Sequence, residues 1–184
     1  MDERTGVESD QGDRETGTAE RRRAFVALGS NLGDRAANLA AARVALSGLP
    51  GTTLLAASRV YETAPQDVVD QPAFLNQVLC LETSLAPREL LRAGQAIEQA
   101  RHRGRGFRFG PRTLDVDILL FQGVESSDPE LTLPHPRMFQ RAFVLVPLAE
   151  IWGWAVGMPD VDVEGLAASL ARDQAVRVYG GAKA

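Results

Sequence analysis

Lysine is almost absent from this sequence. All of the 20 basic residues except Lys183 are arginines, and Lys183 is the next-to-last residue. A Walker A phosphate loop requires Gly-Lys-Ser/Thr, and a protein kinase requires a strand lysine over the ATP phosphates. Lys183 can supply neither. A protein of this sequence that handles a nucleoside triphosphate must therefore use arginines and metal ions.

Cysteine and long apolar runs are scarce as well. Cys80 is the only cysteine, so no intrachain disulfide can form, and the apolar run QVLCL around it predicts a buried structural thiol. No apolar stretch approaches the ~20 residues that span a bilayer. The N-terminal residues MDERTGVESDQGDRETGTAERRR lack the apolar core of a signal peptide. We therefore expect a cytoplasmic protein.

The 184 residues fit a single globular domain, of which 45% are hydrophobic and 24% charged. The polar, aperiodic residues 1–22 are predicted to form a disordered tail, and residues 23–178 the folded domain. The net charge of −4 argues against a general nucleic-acid binder. Five arginines nonetheless crowd one short segment and predict a local anion site: Arg101, Arg103, Arg105, Arg108 and Arg112.

Apolar periodicity predicts a core of four strands and two helices in the order β-α-β-β-α-β. The strands are RAFVALGS (about 23–29), TTLLAASRVYET, FLNQVLCLET and LDVDILLF, and the helices are DRAANLAAARVALSGLP and APRELLRAGQAIEQARHR. This order is that of a ferredoxin-like α+β domain, for which we expect a mixed sheet with helices on one face. Short C-terminal additions follow: a strand, a turn at Pro134–Pro136, two more helices and a loose tail.

Asp115 and Asp117 lie in the predicted strand LDVDILLF. Residues i and i+2 of a strand project from one face, so Val116 and Ile118 project from the other. Two neighbouring carboxylates disfavour each other's ionisation, and a divalent cation removes that problem. Mg²⁺ favours one or two carboxylates together with substrate phosphates. The competing interpretation is a solvated strand face whose two acids bind nothing.

The segment GRGFRFGPR comes directly before this acid pair. Arginine donates two parallel hydrogen bonds to phosphate, and phosphoryl transfer requires cations around the phosphorus and a metal that bridges its oxygens. The combination therefore indicates a site for the phosphates of ATP. Gly104, Gly106 and Gly110 also fit a solvated, flexible loop without a ligand, which is the alternative.

Four motifs in this order resemble the 6-hydroxymethyl-7,8-dihydropterin pyrophosphokinase family. They are ALGSNLGDR, YETAP…QPAFLN, FGPRTLDVDILLF and LTLPHPRMFQRAFVLVPLAEI, and they extend from about Arg23 to Trp152. The resemblance implies a ferredoxin-like fold that transfers pyrophosphate from ATP to the hydroxymethyl group of the pterin. AMP and the pterin diphosphate would be the products, two Mg²⁺ ions the cofactors and tetrahydrofolate biosynthesis the pathway.

The resemblance also implies roles for individual residues. Asp115 and Asp117 correspond to ligands of both magnesium ions and, with Arg103 and Arg112, to the catalytic residues. His135 lies between two prolines, so a structural turn residue is the alternative for it. The implied ATP-binding residues are Gln95, Glu98, Arg105, Arg112, Ile118, His135 and Arg141.

A pterin is a flat, polar heterocycle, which proteins hold between aromatic faces with a few donors and acceptors at its edge. Phe74 and Phe143 match the stacking aromatics of the family, although core packing is the commoner role of a lone phenylalanine. Asn76 lies in an apolar strand, where a buried amide needs partners. The implied pterin-binding residues are Asn31, Thr63, Gln66, Phe74, Asn76, Phe109, Asp115 and Phe143.

Three functions compete at this point. The first is the pterin pyrophosphokinase, a monomer that binds ATP and 6-hydroxymethyl-7,8-dihydropterin but neither nucleic acid nor membrane. The second is a catalytically silent ferredoxin-like module that binds a ligand or nucleotide, which would not need an acid pair for two metals. The third is an ATP-dependent transferase with another acceptor, and Phe74, Asn76 and Phe143 argue instead for a flat heterocycle.

Overall fold

Six strands form one antiparallel sheet in the computed structural model, which describes residues 20–65, 70–101 and 113–180. They are β1 (Arg22–Ser30), β2 (Thr52–Ala57), β3 (Tyr61–Thr63), β4 (Phe74–Thr83), β5 (Asp115–Phe121) and β8 (Val176–Val178). The spatial order is β5-β1-β4-β3-β8, and β2 also pairs with β4. A separate two-stranded sheet joins β6 (Ser126–Asp128) to β7 (Leu131–Leu133).

Four α-helices accompany the sheet, and none in the described part of the chain is long and apolar enough to cross a membrane. They are α1 (Arg35–Ser47), α2 (Pro87–Arg101), α3 (Ala142–Glu150) and α4 (Val163–Leu170), and short 3₁₀ helices cover Met138–Gln140 and Trp152–Trp154. The Asp34 carboxylate accepts a hydrogen bond from the Ala37 amide at 3.0 Å and so caps α1.

Alternate residues of the strands face two separate cores. Leu28, Leu79 and Val116 point to one face of the sheet, where they pack with Leu39 of α1 and Leu90 of α2. These five side chains are nearly or fully withdrawn from water. This face is closed by the two helices of the predicted βαββαβ core.

The opposite face is covered by the C-terminal helices. Phe25, Val78 and Cys80 point to this face and pack with residues of α3 and α4, among them Leu145 and Ala167. Cys80 is fully buried, and burial raises the pKa of its thiol to about 11, so the prediction of a buried structural thiol is confirmed.

The predicted α+β class and most elements are confirmed, with four corrections. Every pairing among the described strands is antiparallel, so the sheet is not mixed. Helices cover both faces rather than one, because α3 and α4 pack opposite α1 and α2. The predicted second strand is divided into β2 and β3, and the predicted loose tail contains β8, which pairs with β3. The predicted N-terminal tail lies almost wholly outside the described residues.

Candidate active site

The side chains of Asp115 and Asp117 share one face of the sheet, as predicted from their spacing, and Val116 and Ile118 point into the core on the other side. The face that carries the two aspartates is the one on which α3 packs. Asp115 is half-buried and Asp117 is exposed. Both line a cavity of about 300 Å³ that reaches the N-terminal end of α3. Among the predicted site residues, the same cavity is lined by Thr63, Phe74, Asn76, His135, Arg141 and Phe143.

An irregularity in β5 brings His135 to the acid pair. Ile118 pairs with Val26 and Leu120 with Phe25, so Leu119 has no partner on β1. Such a bulge frees backbone groups from the ladder. The carbonyl of Leu119 accepts a hydrogen bond from the His135 amide at 2.8 Å. The turn after β7 is thereby attached to β5 two residues beyond Asp117.

His135 is held as a neutral hydrogen-bond donor. Burial lowers its pKa below the ordinary value; Asp117 opposes the shift, and the cations Arg141 and Arg137 reinforce it. The backbone amide of Arg137 donates to Nδ1 of His135 at 3.3 Å. A neutral imidazole whose Nδ1 accepts carries its proton on Nε2, so His135 offers one N–H donor at that atom.

The motif Gly29-Ser30-Asn31 at the end of β1 supports the floor and one wall of the cavity. Gly29 lies between Asp115 and Asn76 in the sheet, and a Cβ there would lie 3.5 Å from Oδ1 of Asn76 and 3.7 Å from Cβ of Asp115. The missing side chain therefore leaves a space between these two polar groups.

Ser30 and Asn31 act behind that wall. The hydroxyl of Ser30 donates to the Thr113 carbonyl at 2.6 Å and so fixes the residues that precede Asp115. The amide of Asn31 donates to Oε1 of Gln71 at 3.1 Å. Asn31 is buried and does not line the cavity, whereas Gln71 does.

Asn76 is a buried amide with an identified partner. Its Nδ2 donates to Oγ1 of Thr63 at 2.9 Å, and both side chains belong to the cavity wall. Phe74 and Phe143 are half-buried, which leaves part of each ring facing the cavity. The guanidinium of Arg141 lies 5.3 Å from the centre of the Phe143 ring, within cation–π range.

Gln95 and Glu98 lie on α2 and are not among the residues that line the cavity. Gly94 lets α2 approach β5, because a Cβ there would lie 3.0 Å from Cγ1 of Val116. One turn later, Oε1 of Glu98 accepts a hydrogen bond from the Val116 amide at 2.6 Å. Glu98 thus attaches α2 to the edge of β5 that pairs with no strand in the described part of the chain, here called the open edge. The contact is at Val116, between the two aspartates in sequence, and Gln95 is exposed.

Ile118 does not offer its side chain to a ligand. The side chain is 5% exposed and belongs to the core beneath α1 and α2. In an antiparallel pair, the backbone groups of alternate residues point away from the partner strand. Since the Val116 amide points outward to Glu98, the backbone N–H and C=O of Ile118 face the same open edge.

The donor set fits a magnesium ion better than a cation held by protein alone. Within the described ranges, no group of three or more His, Cys, Asp or Glu side chains could hold a metal. Asp115 and Asp117 provide only carboxylates, which Mg²⁺ accepts when substrate phosphates and waters complete its shell. The pair could therefore hold magnesium together with a phosphorylated substrate.

Five predicted site residues lie outside the described part of the chain: Gln66, Arg103, Arg105, Phe109 and Arg112. Arg137 is a cavity-lining residue that the sequence interpretation missed. Its position two residues after His135, in the same motif, was the available signal. Gly29 and Gln71 were missed as well, since neither carries a group that indicates chemistry by itself.

Comparison with known proteins identifies the family of this chain. A model of the 7,8-dihydro-6-hydroxymethylpterin-pyrophosphokinase family matches residues 25–153. The 2-amino-4-hydroxy-6-hydroxymethyldihydropteridine pyrophosphokinase of Pseudomonas aeruginosa is 50% identical over 129 residues, or 70% of this chain and 80% of that protein. The Bacillus subtilis protein of the same name is 48% identical over 128 residues, or 70% and 77%.

Solved structures share the fold at much lower identity. One structure of Plasmodium falciparum HPPK-DHPS aligns with a TM-score of 0.63 at 12% identity, over 85% of this chain and 47% of that longer one. At this identity the likeness concerns the fold alone. The family match and the two bacterial relatives confirm the resemblance that the four motifs carried, and the chain belongs to the 7,8-dihydro-6-hydroxymethylpterin-pyrophosphokinase family.

Proposed function

We propose that this protein transfers pyrophosphate from ATP to the hydroxymethyl group of 6-hydroxymethyl-7,8-dihydropterin, a step of tetrahydrofolate biosynthesis. The observation that carries this function is one cavity in which an acid pair, a cationic group and two aromatic rings beside a buried amide meet. A catalytically silent binding module would not need the acid pair beside the cations. The aromatic part of the cavity would take the pterin, and the charged end would take the phosphates of ATP.

The reaction joins the hydroxyl oxygen of the pterin to the β-phosphorus of ATP. The bond between that phosphorus and the oxygen bridging to the α-phosphorus breaks, AMP leaves, and the hydroxyl loses its proton. Asp115 and Asp117 would hold two Mg²⁺ ions, which neutralise charge on the attacking and leaving oxygens when bound. Their common orientation on β5 supports this assignment.

His135 and Arg141 would bind the ATP phosphates from the part of the cavity wall that the turn after β7 and the start of α3 form. The Nε2–H of neutral His135 can donate one hydrogen bond, and the guanidinium of Arg141 can donate two in parallel to one phosphate. Arg137 adds a third group of positive or donor character at the same wall. Arg103, Arg105 and Arg112 are proposed to complete the phosphate contacts.

The pterin would lie between Phe74 and Phe143, with its polar edge toward Asn76 and Thr63. Both rings line the cavity and are partly exposed to it, which supports stacking over core packing. The hydrogen bond to Thr63 uses Nδ2 of Asn76, so the amide oxygen would face the polar edge of the pterin. Asn31, Gln66, Phe109 and Asp115 are proposed as further contacts, Asn31 through the Gln71 side chain that it orients.

The nucleoside of ATP would extend past β5 toward α2. The outward backbone of Ile118 can donate and accept at the open edge, and Gln95 and Glu98 lie on the helix that borders this edge. Glu98 would then contribute mainly by holding α2 against β5, because one of its oxygens already accepts from Val116.

We further propose a ferredoxin-like core within one domain of residues 23–178 that acts as a monomer. The strand order β5-β1-β4 with β2 and β3 beside β4, and α1 and α2 on one face, supports this topology. β8 pairs with β3, which supports including the C-terminal residues in the same domain.

Incubation of the protein with Mg²⁺, ATP and 6-hydroxymethyl-7,8-dihydropterin tests the function. We expect one AMP and one pterin diphosphate per turnover, and ATP labelled at the β-phosphorus should pass its label to the pterin. Release of ADP would overturn pyrophosphate transfer in favour of ordinary kinase chemistry. Binding of both ligands without any turnover would favour the silent module.

A further inference from the structure

Arg141 lies at a junction in the backbone that its own side chain cannot stabilise. It is the residue between the 3₁₀ helix Met138–Gln140 and α3, with extended φ and ψ of −121° and 107°. The first amides of a helix lack partners within the helix and usually bond to the side chain of the capping residue. Arginine has no acceptor, and no side-chain hydrogen bond caps α3 from this position.

Gln174 supplies the missing contacts from 33 positions further along the chain. Its Oε1 accepts a hydrogen bond from the Ala142 amide at 2.8 Å, and its Nε2 donates to the Gln140 carbonyl at 3.0 Å. The two bonds flank Arg141 in the chain. One primary amide therefore fixes the backbone on both sides of the arginine.

The segment that carries Gln174 is itself anchored at two points. The backbone amide of Gln174 donates to the Leu170 carbonyl at 2.9 Å, at the end of α4. Two residues after Gln174, Val176 begins β8 and pairs with Thr63 of the cavity wall. The Gln174 side chain is thus held between a packed helix and the main sheet. The family match ends at residue 153, before this segment begins.

We infer that Gln174 is a positioning residue for ATP binding, which acts by orienting Arg141 toward the phosphates. The proposal rests on the proposed function of the same cavity. Arg141 contributes to ATP binding only if its backbone directs the guanidinium to the cavity, where it lies beside Phe143. A primary amide suits the task because the junction offers one donor and one acceptor, and it meets both.

The decisive experiment is a double-mutant cycle on the full-length protein with Gln174→Ala and Arg141→Ala. Affinity for a non-hydrolysable ATP analogue with Mg²⁺ is measured by isothermal titration calorimetry, and KM and kcat are measured for ATP and the pterin. We expect Gln174→Ala to weaken analogue binding and raise KM for ATP by roughly tenfold, with KM for the pterin and kcat changed much less. In the Arg141→Ala background, Gln174→Ala should have no further effect on analogue affinity.

Two further variants separate positioning from folding. Gln174→Glu keeps an acceptor for the Ala142 amide but loses the donor to the Gln140 carbonyl, so its effect on ATP affinity should be intermediate. Asp173→Ala removes the neighbouring exposed side chain and should match the wild-type protein. The thermal unfolding temperature of each variant is measured to confirm that the variant is folded at the temperature of the binding and activity assays.

The outcomes distinguish the inference from the function on which it rests. Equal losses of affinity from Gln174→Ala in the wild-type and Arg141→Ala backgrounds would overturn positioning through Arg141. So would normal ATP affinity in Gln174→Ala when Arg141→Ala alone weakens binding. If Arg141→Ala leaves ATP affinity unchanged, the phosphate role of Arg141 falls and this inference with it. Absence of AMP formation by the wild-type protein would instead refute the proposed function.

Discussion

The two faces of the main sheet are formed by the same strands but carry different side chains. Along β4, Leu75 and Leu79 point to α1 and α2 and are fully buried in an apolar core. Asn76, between them in sequence, points to the other face and lines the cavity with Asp115 of β5. On this second face α3 and α4 pack over Val78 and Cys80, while the polar residues lie in the cavity beyond them.

This difference shows how one strand can serve stability and chemistry independently. Because successive side chains alternate between faces, a substitution on the closed face should change the free energy of unfolding and spare the reaction. A substitution on the cavity face should do the reverse. Variants at matched positions on the two faces can therefore test whether stability and activity are separable.

The largest effect is expected from Asp117→Asn on the cavity face. The change removes one charge from the acid pair with little change in shape, and we expect kcat/KM to fall by about 1,000-fold, since a metal site supplies several kcal/mol to the transition state. Asp117 is exposed, so the free energy of unfolding should change by less than ~0.5 kcal/mol. Steady-state assays and urea denaturation measure the two quantities.

Asp173→Asn is the control for a lost surface carboxylate, because Asp173 is exposed and distant in sequence from the cavity residues. It should leave both activity and stability unchanged. Near-normal turnover of Asp117→Asn at saturating Mg²⁺ would refute the metal assignment of this aspartate.

The second-largest effect, a loss of stability, is expected from Leu79→Ala on the closed face, which α1 and α2 cover. Leu79 is 0% exposed in the core beneath α1 and α2, and truncating such a leucine costs about 2–5 kcal/mol of the free energy of unfolding. The protein that remains folded should keep its KM values. Val44→Ala, at an exposed position of α1, should cost less than ~0.5 kcal/mol. A large loss of kcat in folded Leu79→Ala would show that the two faces are not independent.

The strands and early helices were predictable because their side chains follow simple periods. β4 was predicted at its observed bounds from an apolar run, and Asp115 and Asp117 were placed on one face by their spacing alone. The division of the second strand was not predictable. Ser58 lies at the break between β2 and β3, where its amide donates to the Val78 carbonyl and its hydroxyl accepts from the Val78 amide. A serine is also compatible with a continuous strand, so its presence did not indicate the break.

The position of α3 on the sheet could not be predicted from the local sequence either. Its sequence AFVLVPLAE is apolar around most of its circumference, which predicts a buried helix but not the face that buries it. Only the tertiary arrangement shows that α3 packs on Val78 and Cys80. For the same reason the support of Arg141 by Gln174 left no signal, because the two bonds join backbone groups to an amide more than 30 residues away.

A third, smaller effect is expected from Gly29→Ala, which fills the space between the two polar groups of the cavity floor. The added Cβ would make ordinary contacts with Asn76 and Asp115, at 3.5 and 3.7 Å, so the fold should tolerate it. It would crowd a ligand that lies across Gly29, and overpacking of about 1–3 kcal/mol corresponds to roughly 5- to 150-fold weaker pterin binding. Calorimetric titration with the pterin measures this effect.

Ala27→Gly gives the reciprocal test, since Ala27 is the next residue of β1 on the cavity face and pairs with Asp117. This substitution removes a methyl group from the cavity floor, so it enlarges the cavity and should not weaken pterin binding by crowding. Unchanged pterin affinity in Gly29→Ala would place the ligand away from this part of the floor.

The smallest effect concerns Glu62, at the rim of the closed face. Glu62 binds Arg35 of α1 at 3.0 Å and Arg177 of β8 at 2.6 Å. The hydrogen bond from Arg177 is the main cause that lowers the pKa of Glu62 below 4.5; burial opposes the shift, and Arg35 adds to it. A depressed carboxyl pKa stabilises the fold above pH 4.5, and this contribution is lost as the pH falls through the folded-state pKa.

Glu62→Gln should therefore lower the free energy of unfolding at pH 7, and the loss should be smaller at pH 3, because the contribution of the carboxylate declines as the pH falls through its lowered pKa. The loss should be below about 1 kcal/mol and should shrink in high salt, because Arg177 is 75% exposed. Glu125→Gln, at an exposed position after β5, is the control for a lost surface carboxylate and should change the free energy of unfolding at pH 7 by less than ~0.5 kcal/mol. Urea titrations at both pH values measure the differences. An equal loss at pH 7 and pH 3 would mean that the shape and hydrogen bonds of Glu62, rather than its charge, attach β8 and α1 to the rim.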